Sequence, residues 1–184
     1  MKLRFALRFL LTFTILVPLW WQLGVGEAYR DAILQVVRLL SPVVNGWFLE
    51  IAAGAATFRR GTESMPFYLN LPAIAMGLMP LWSLIVATGG QSAKQVGLRI
   101  FFAAALYFGV DTLVVLAYPF FMYDPGRFKD TVGVFSGMVA FVVAPLGIWF
   151  VVTYPTLQSV WQIGATPGTT PAPAAPARRE ARRG

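Results

Sequence analysis

Four apolar runs, at about 9–25, 69–88, 98–119 and 134–157, constrain this chain more than any other feature. Each is close to the ~20 residues that a helix rising ~1.5 Å per residue needs to cross a bilayer's hydrocarbon. In lipid a backbone must satisfy its own hydrogen bonds, which leaves helices or a closed barrel. The runs are continuous rather than alternating, and that selects helices. Only 12% of the residues are charged and 57% are hydrophobic, against ~25% charged in an ordinary soluble domain. The predicted fold is an all-α integral membrane protein with four transmembrane helices over residues 1–160, and 184 residues leave no room for a second large domain.

Charge placement orients the spans. With the amino terminus inside, the inner segments hold Lys2, Arg4, Arg8, Lys94, Arg99, Arg178, Arg179, Arg182 and Arg183 against Glu180 alone, a net of +8. Outside, Arg30, Arg38, Arg59, Arg60, Arg127 and Lys129 cancel Glu27, Asp31, Glu50, Glu63, Asp124 and Asp130. Basic excess in short inner loops predicts a multi-pass membrane protein with both termini cytoplasmic. The basic residues form no single patch with interleaved aromatics, so nucleic acid is not an expected partner. Membrane lipids are.

There is no Cys and no His. That excludes thiol and Ser-His-Asp catalysis, thiolate clusters and imidazole-bound metals. Paired catalytic carboxylates, a phosphate-cradling glycine loop and a zinc-protease motif are also missing. The chain is therefore expected to be no enzyme and to carry no cofactor or metal.

The opening MKLRFALRFLLTFTILVPLWW has the basic start and apolar centre of a secretory signal, but no A-x-A follows and Trp20 and Trp21 resemble an interfacial anchor. We read it as an uncleaved first span. Beyond it, Glu27, Arg30, Asp31, Gln35, Arg38 and Ser41 share about 140° of a helical wheel. Tyr29, Ala32, Ile33, Val36, Val37, Leu39 and Leu40 fill the other side, with Leu34 the exception. This predicts an amphipathic helix over 27–41, ending before Pro42, that lies on the outer surface or caps the bundle. Either its own spans or a partner could cover it.

Over 43–67, Trp47, Leu49 and Ile51 alternate with Phe48, Glu50 and Ala52 as in a strand, and RRGTES reads as a turn. A small β-hairpin or an irregular segment is expected there. Pro18, Pro80 and Pro145 lie within the first, second and fourth spans, with Pro72 near the start of the second, and each removes a donor. The Pro/Ala/Arg-rich residues 161–184 cannot bury enough surface to fold and predict a disordered cytoplasmic tail.

Two constellations remain. Asp111 is the only charge at membrane depth, about 18 Å from Arg99 and in the outer half of the membrane. With Tyr107 one turn away, and Asn70 and Ser136 near the outer surface, it predicts a hydrogen-bonded cluster, either a structural bond between helices or a functional polar site. In the fourth span Gly133, Gly137, Ala140, Ala144 and Gly147 draw a seam of small residues, the spacing that lets a second helix approach, from the same bundle or from a second copy in a homodimer.

An Arg-flanked first span, an outer amphipathic helix, a short outer segment and then F-x-x-N-x-P at Phe67, Asn70 and Pro72 resemble the small membrane proteins associated with exosortases. Exosortases are multi-pass enzymes of envelope protein sorting that use Cys, Arg and His. Lacking Cys and His, this chain would be a non-catalytic relative whose outer surface contacts the sorting enzyme or its substrate. The expected function is an accessory or assembly subunit of such a sorting or export system. The alternative is a small transporter or channel subunit using Asp111.

Overall fold

A computed structural model describes residues 2–52, 55–68, 75–122 and 142–161. The beginnings of the second and fourth spans, Asn70, Pro72, Ser136, Gly133, Gly137, Ala140 and the tail lie outside the described residues.

Helix α1, Lys2–Gln22, is followed by α2, Val25–Val44. Gly24, in left-handed geometry at φ 61°, separates them, a conformation glycine adopts without steric penalty. Three strands come next, β1 Phe48–Ala52, β2 Ala55–Arg60 and β3 Glu63–Pro66. Among the described residues three helices follow: α3 Leu78–Ala87, α4 Ala93–Met122 and α5 Ala144–Trp161. Leu3–Gln22 and Ala93–Met122 are long and apolar enough to cross a membrane, whereas Leu78–Ala87 is apolar but shorter.

The expected hairpin is a three-stranded antiparallel meander in the order β1-β2-β3. Arg60 pairs with Glu63 across a two-residue turn begun by Gly61 at φ 61°, where RRGTES predicts one. The alternation also holds: Trp47 and Leu49 are buried while Phe48, Glu50 and Ala52 are exposed. Leu49 faces Phe58, and Phe58 faces Met65, so one face of the sheet is apolar. The other carries the Arg59–Glu50 ion pair at 3.0 Å.

Two cores result. The first, which we call the head, joins Ile33, Leu34 and Val37 of α2 to Leu49 and Phe58 of the sheet and Val115, Leu116 and Tyr118 of α4. The second joins α1, α3, α4 and α5 around Trp20, Leu81, Ile85, Ala103, Tyr107 and Ile148. The long α4 belongs to both. Its start is fixed by a reciprocal cap, Gln95 N–H donating to Ser92 Oγ at 3.3 Å and Ser92 N–H to Gln95 Oε1 at 3.0 Å.

Helix α2 departs from expectation at its end and in the side it buries. It runs through Pro42 to Val44, because the Arg38 carbonyl that Pro42 leaves without a donor belongs to an exposed turn. It closes with Asn45 and Gly46 N–H groups both donating to Ser41 O, and Gly46 sits at φ 71°. Buried residues are Gly26, Ile33, Leu34, Val37 and Ser41, whereas Leu39 and Leu40 of the apolar side are exposed. Leu34, the exception on the wheel, is core, because the helix presents the border between its polar and apolar arcs to α4 and the sheet.

The prolines also fall differently from a simple kink pattern. Pro80 lies in the first turn of α3, where a helix donor has no partner anyway, while Pro18 lies inside α1 and Pro155 inside α5.

Candidate functional site

Asp111 is 1% exposed and sits on α4 where that helix passes from one core to the other. Its Oδ2 accepts a 2.7 Å hydrogen bond from the Tyr29 hydroxyl of α2. Tyr107, one turn earlier on the same face, is fully buried. The Tyr29 ring lies 6.4 Å from Tyr107 and stands edge-on to Phe108 at 5.6 Å. The Tyr29 ring that holds the carboxyl group thus packs on two further rings. Burial first, and then the charge of Asp111, push the Tyr29 phenol above its ordinary range, so it stays protonated and donates.

One bond does not satisfy the carboxyl group. Among the described residues, Asp111 Oδ1 and the adjacent Thr112 Oγ1 are buried without a hydrogen-bond partner. A carboxyl group with one oxygen held and one free can accept a water or a proton. It holds no metal by itself, and among the described residues no group of three His, Cys, Asp or Glu side chains comes together. Arg99 is occupied elsewhere, donating to Thr156 Oγ1 of α5 at 2.8 Å.

The predicted cluster is therefore placed in part. Asp111 and Tyr107 share a buried face; Asn70 and Ser136 lie outside the described residues. Tyr29 completes the site instead, although the wheel assigns it to the apolar side of α2. A tyrosine is amphipathic, and a Tyr on the buried side of a helix carries a hydroxyl that needs a partner. That is the signal which could have found it.

Two further side chains fix α2 and the sheet on α4. Asn45 Nδ2 donates to Leu116 O at 2.8 Å, and Asn45 Oδ1 accepts from Trp47 N–H at 2.9 Å. The Tyr118 hydroxyl donates to Pro66 O and accepts from Tyr68 N–H, both at 3.3 Å. The rings of Phe58, Phe67 and Tyr118 pack mutually, with Phe67 and Tyr118 4.9 Å apart. Phe67, the first residue of F-x-x-N-x-P, thus closes the head's core, and its N–H donates to Ala56 O at 3.0 Å.

Of the fourth-span seam, the two described members diverge. Ala144 packs against the second core, but Gly147 is exposed with nothing within 4 Å of where a Cβ would stand. In α5 itself the contact seam therefore does not extend to Gly147, which points away from the bundle.

A cleft of about 110 Å³ opens at the α1–α2 corner among Trp20, Trp21, Gly24, Gly26, Glu27 and Met76. Its one carboxylate, Glu27, is already paired with Arg30 at 3.0 Å. The chain matches no family model, no curated protein and no solved structure, so its site is read from its own geometry.

Proposed function

We propose that this chain is a non-catalytic accessory or assembly subunit of a bacterial envelope sorting or export system of the exosortase type, held in the inner membrane by four spans with both termini cytoplasmic. In this reading the head stands on the outer face and contacts a second membrane protein, the sorting enzyme or its substrate. The observation that carries it is the construction of the head. A meander and a helix are packed onto the end of α4 by a dry aromatic core and by three hydrogen-bonding side chains from distant parts of the chain, Tyr29, Asn45 and Tyr118. So much fixed structure outside a bundle suits a surface that must be presented in one orientation.

Asp111 supports this over the transporter reading. A transported ion needs a polar path, and Asp111 instead sits 1% exposed with its Oδ2 held by Tyr29, whose ring packs on Tyr107 and Phe108. Apolar side chains on the outside of the helices support the membrane placement: Leu3, Leu7, Leu10 and Leu11 of α1, and Phe101 and Leu113 of α4, are all exposed.

Two experiments test the proposal. A cysteine introduced at Thr57 should react with an impermeant maleimide in intact cells, and one at Lys94 should not; the reverse pattern overturns the topology. A photo-crosslinking residue at Phe48, exposed on the sheet, should form an adduct with a multi-pass protein of the sorting apparatus. Deleting the chain should leave that enzyme's substrates unprocessed, and normal processing in the deletion strain overturns the assignment.

A further inference from the structure

Helix α2 has three faces, not two. The buried face is Gly26, Ile33, Leu34, Val37 and Ser41, and the polar face is Glu27, Asp31, Gln35 and Arg38. At 100° per residue, Ala28, Ala32, Val36, Leu39 and Val43 occupy a separate arc of about 80°. Leu39 is 76% exposed and Val43 88%, so among the described residues nothing covers this end of the arc.

The inclination of α2 says what does. Tyr29 bonds Asp111 and Asn45 bonds Leu116, so sixteen residues of α2, about 24 Å, progress along only five residues of α4, about 7.5 Å. Helix α2 therefore crosses α4 steeply. With α4 along a bilayer normal, α2 lies near the membrane plane. Leu19, Trp21 and Leu23 before the Gly24 corner, and Val44 at the end of α2, are exposed apolar residues as well. Half-buried Arg30, at the border of the buried face, is paired with Glu27 at 3.0 Å and with Asp31 at 3.2 Å, which draws its charge toward the polar face.

We propose that the arc Ala32, Val36, Leu39 and Val43 is seated in lipid at the boundary between headgroups and acyl chains, so that α2 lies in the bilayer surface while its buried face holds the head. An apolar arc separated from a charged one along a helix parallel to the membrane is the chemistry of an interfacial helix. The proposal rests on the membrane placement and is independent of any role in sorting.

The chain has no native Cys, so single nitroxide labels are clean probes. The full-length protein is reconstituted in phosphatidylethanolamine/phosphatidylglycerol liposomes with labels at Leu39→Cys, Val43→Cys, Gln35→Cys and, as a reference on α4, Phe101→Cys. Collision with oxygen and with a water-soluble nickel chelate is then measured. Positions 39 and 43 should have oxygen-to-nickel accessibility ratios severalfold above position 35 and comparable to position 101. Labels at 39 and 43 that are nickel-accessible, or immobile and shielded from both reagents as under a protein partner, overturn the proposal while position 101 remains in lipid. If position 101 is also nickel-accessible, the membrane placement itself falls.

Discussion

The head and the bundle are built by different means from one chain. In the head, hydrogen-bonding side chains join residues far apart in sequence: Tyr29 to Asp111, Asn45 to Leu116, and Tyr118 to Pro66 and Tyr68. In the bundle, several side-chain hydroxyls donate back to their own helix, Ser83 to Met79 O, Thr88 to Leu84 O and Thr153 to Trp149 O. Between its helices, Trp149 donates to Thr88 Oγ1 and Arg99 to Thr156 Oγ1. The head turns apolar groups inward and shows water an ion-paired sheet face, whereas the bundle also shows apolar groups on its outside. Each suits the solvent that the proposed membrane placement gives it. Where water withdraws from apolar surface, burial drives folding; where lipid is as apolar as the side chains, packing and a few polar bonds must do so.

The comparison is broken most decisively at Phe58. Phe58→Ala opens a cavity in the centre of the head's core and should cost the head about 3–5 kcal/mol. Hydrogen exchange in detergent should show the strands and α2 losing protection while Leu81 to Ile85 of α3 keep theirs. Equal loss in both regions would mean that they fold as one unit.

A smaller effect is expected at the junction. Asp111→Leu leaves the buried Tyr29 hydroxyl without its acceptor and should cost about 1–3 kcal/mol in thermal unfolding. Asp111→Asn keeps an acceptor and should cost under about 1 kcal/mol and leave function intact. A double-mutant cycle of Tyr29→Phe with Asp111→Leu, each of which removes the bond, should give a coupling of about 0.6–1.7 kcal/mol, the range of polar bonds between membrane helices. A folded Asp111→Asn protein that has lost its activity in the cell would show that the charge itself is needed, and would restore the transporter reading.

The smallest effect sharpens the description of the bundle's outside. Gly147→Leu should change detergent stability by no more than about 0.5 kcal/mol, because its side chain would enter open space. Ala144→Leu should cost about 1–3 kcal/mol, because Ala144 packs against the second core. If both are neutral, α5 is packed less closely than its Ala144 contact implies.

The same contrast explains what could be read from the residues alone. Helix α4 is announced by an unbroken apolar run, and the pattern Trp47 to Ala52 announces an alternating strand with the right inner face. Both signals are local and repeat with the period of their element. The burial of Leu34 and Ser41 is not local, since it depends on how α2 is rotated against α4 and the sheet. Nor is the Tyr29–Asp111 bond, whose partners stand 82 residues apart with an entire sheet between them. A single sequence carries no register between such segments. It does reveal that Asp111 needs a partner, and Tyr29 is the partner the fold supplies.

Helix α4 is 30 residues long, about 45 Å, and a bilayer's hydrocarbon is ~30 Å thick. In the proposed membrane placement one unbroken rod serves as span and as spine of the head, with no hinge loop between them. In a bilayer such a rod acts as a piston: a thinner or thicker membrane, or a neighbour that tilts the span, lifts or lowers the three strands relative to the lipid surface. The height at which the sheet meets anything beyond the membrane is then an elastic property of the lipid as much as of the protein.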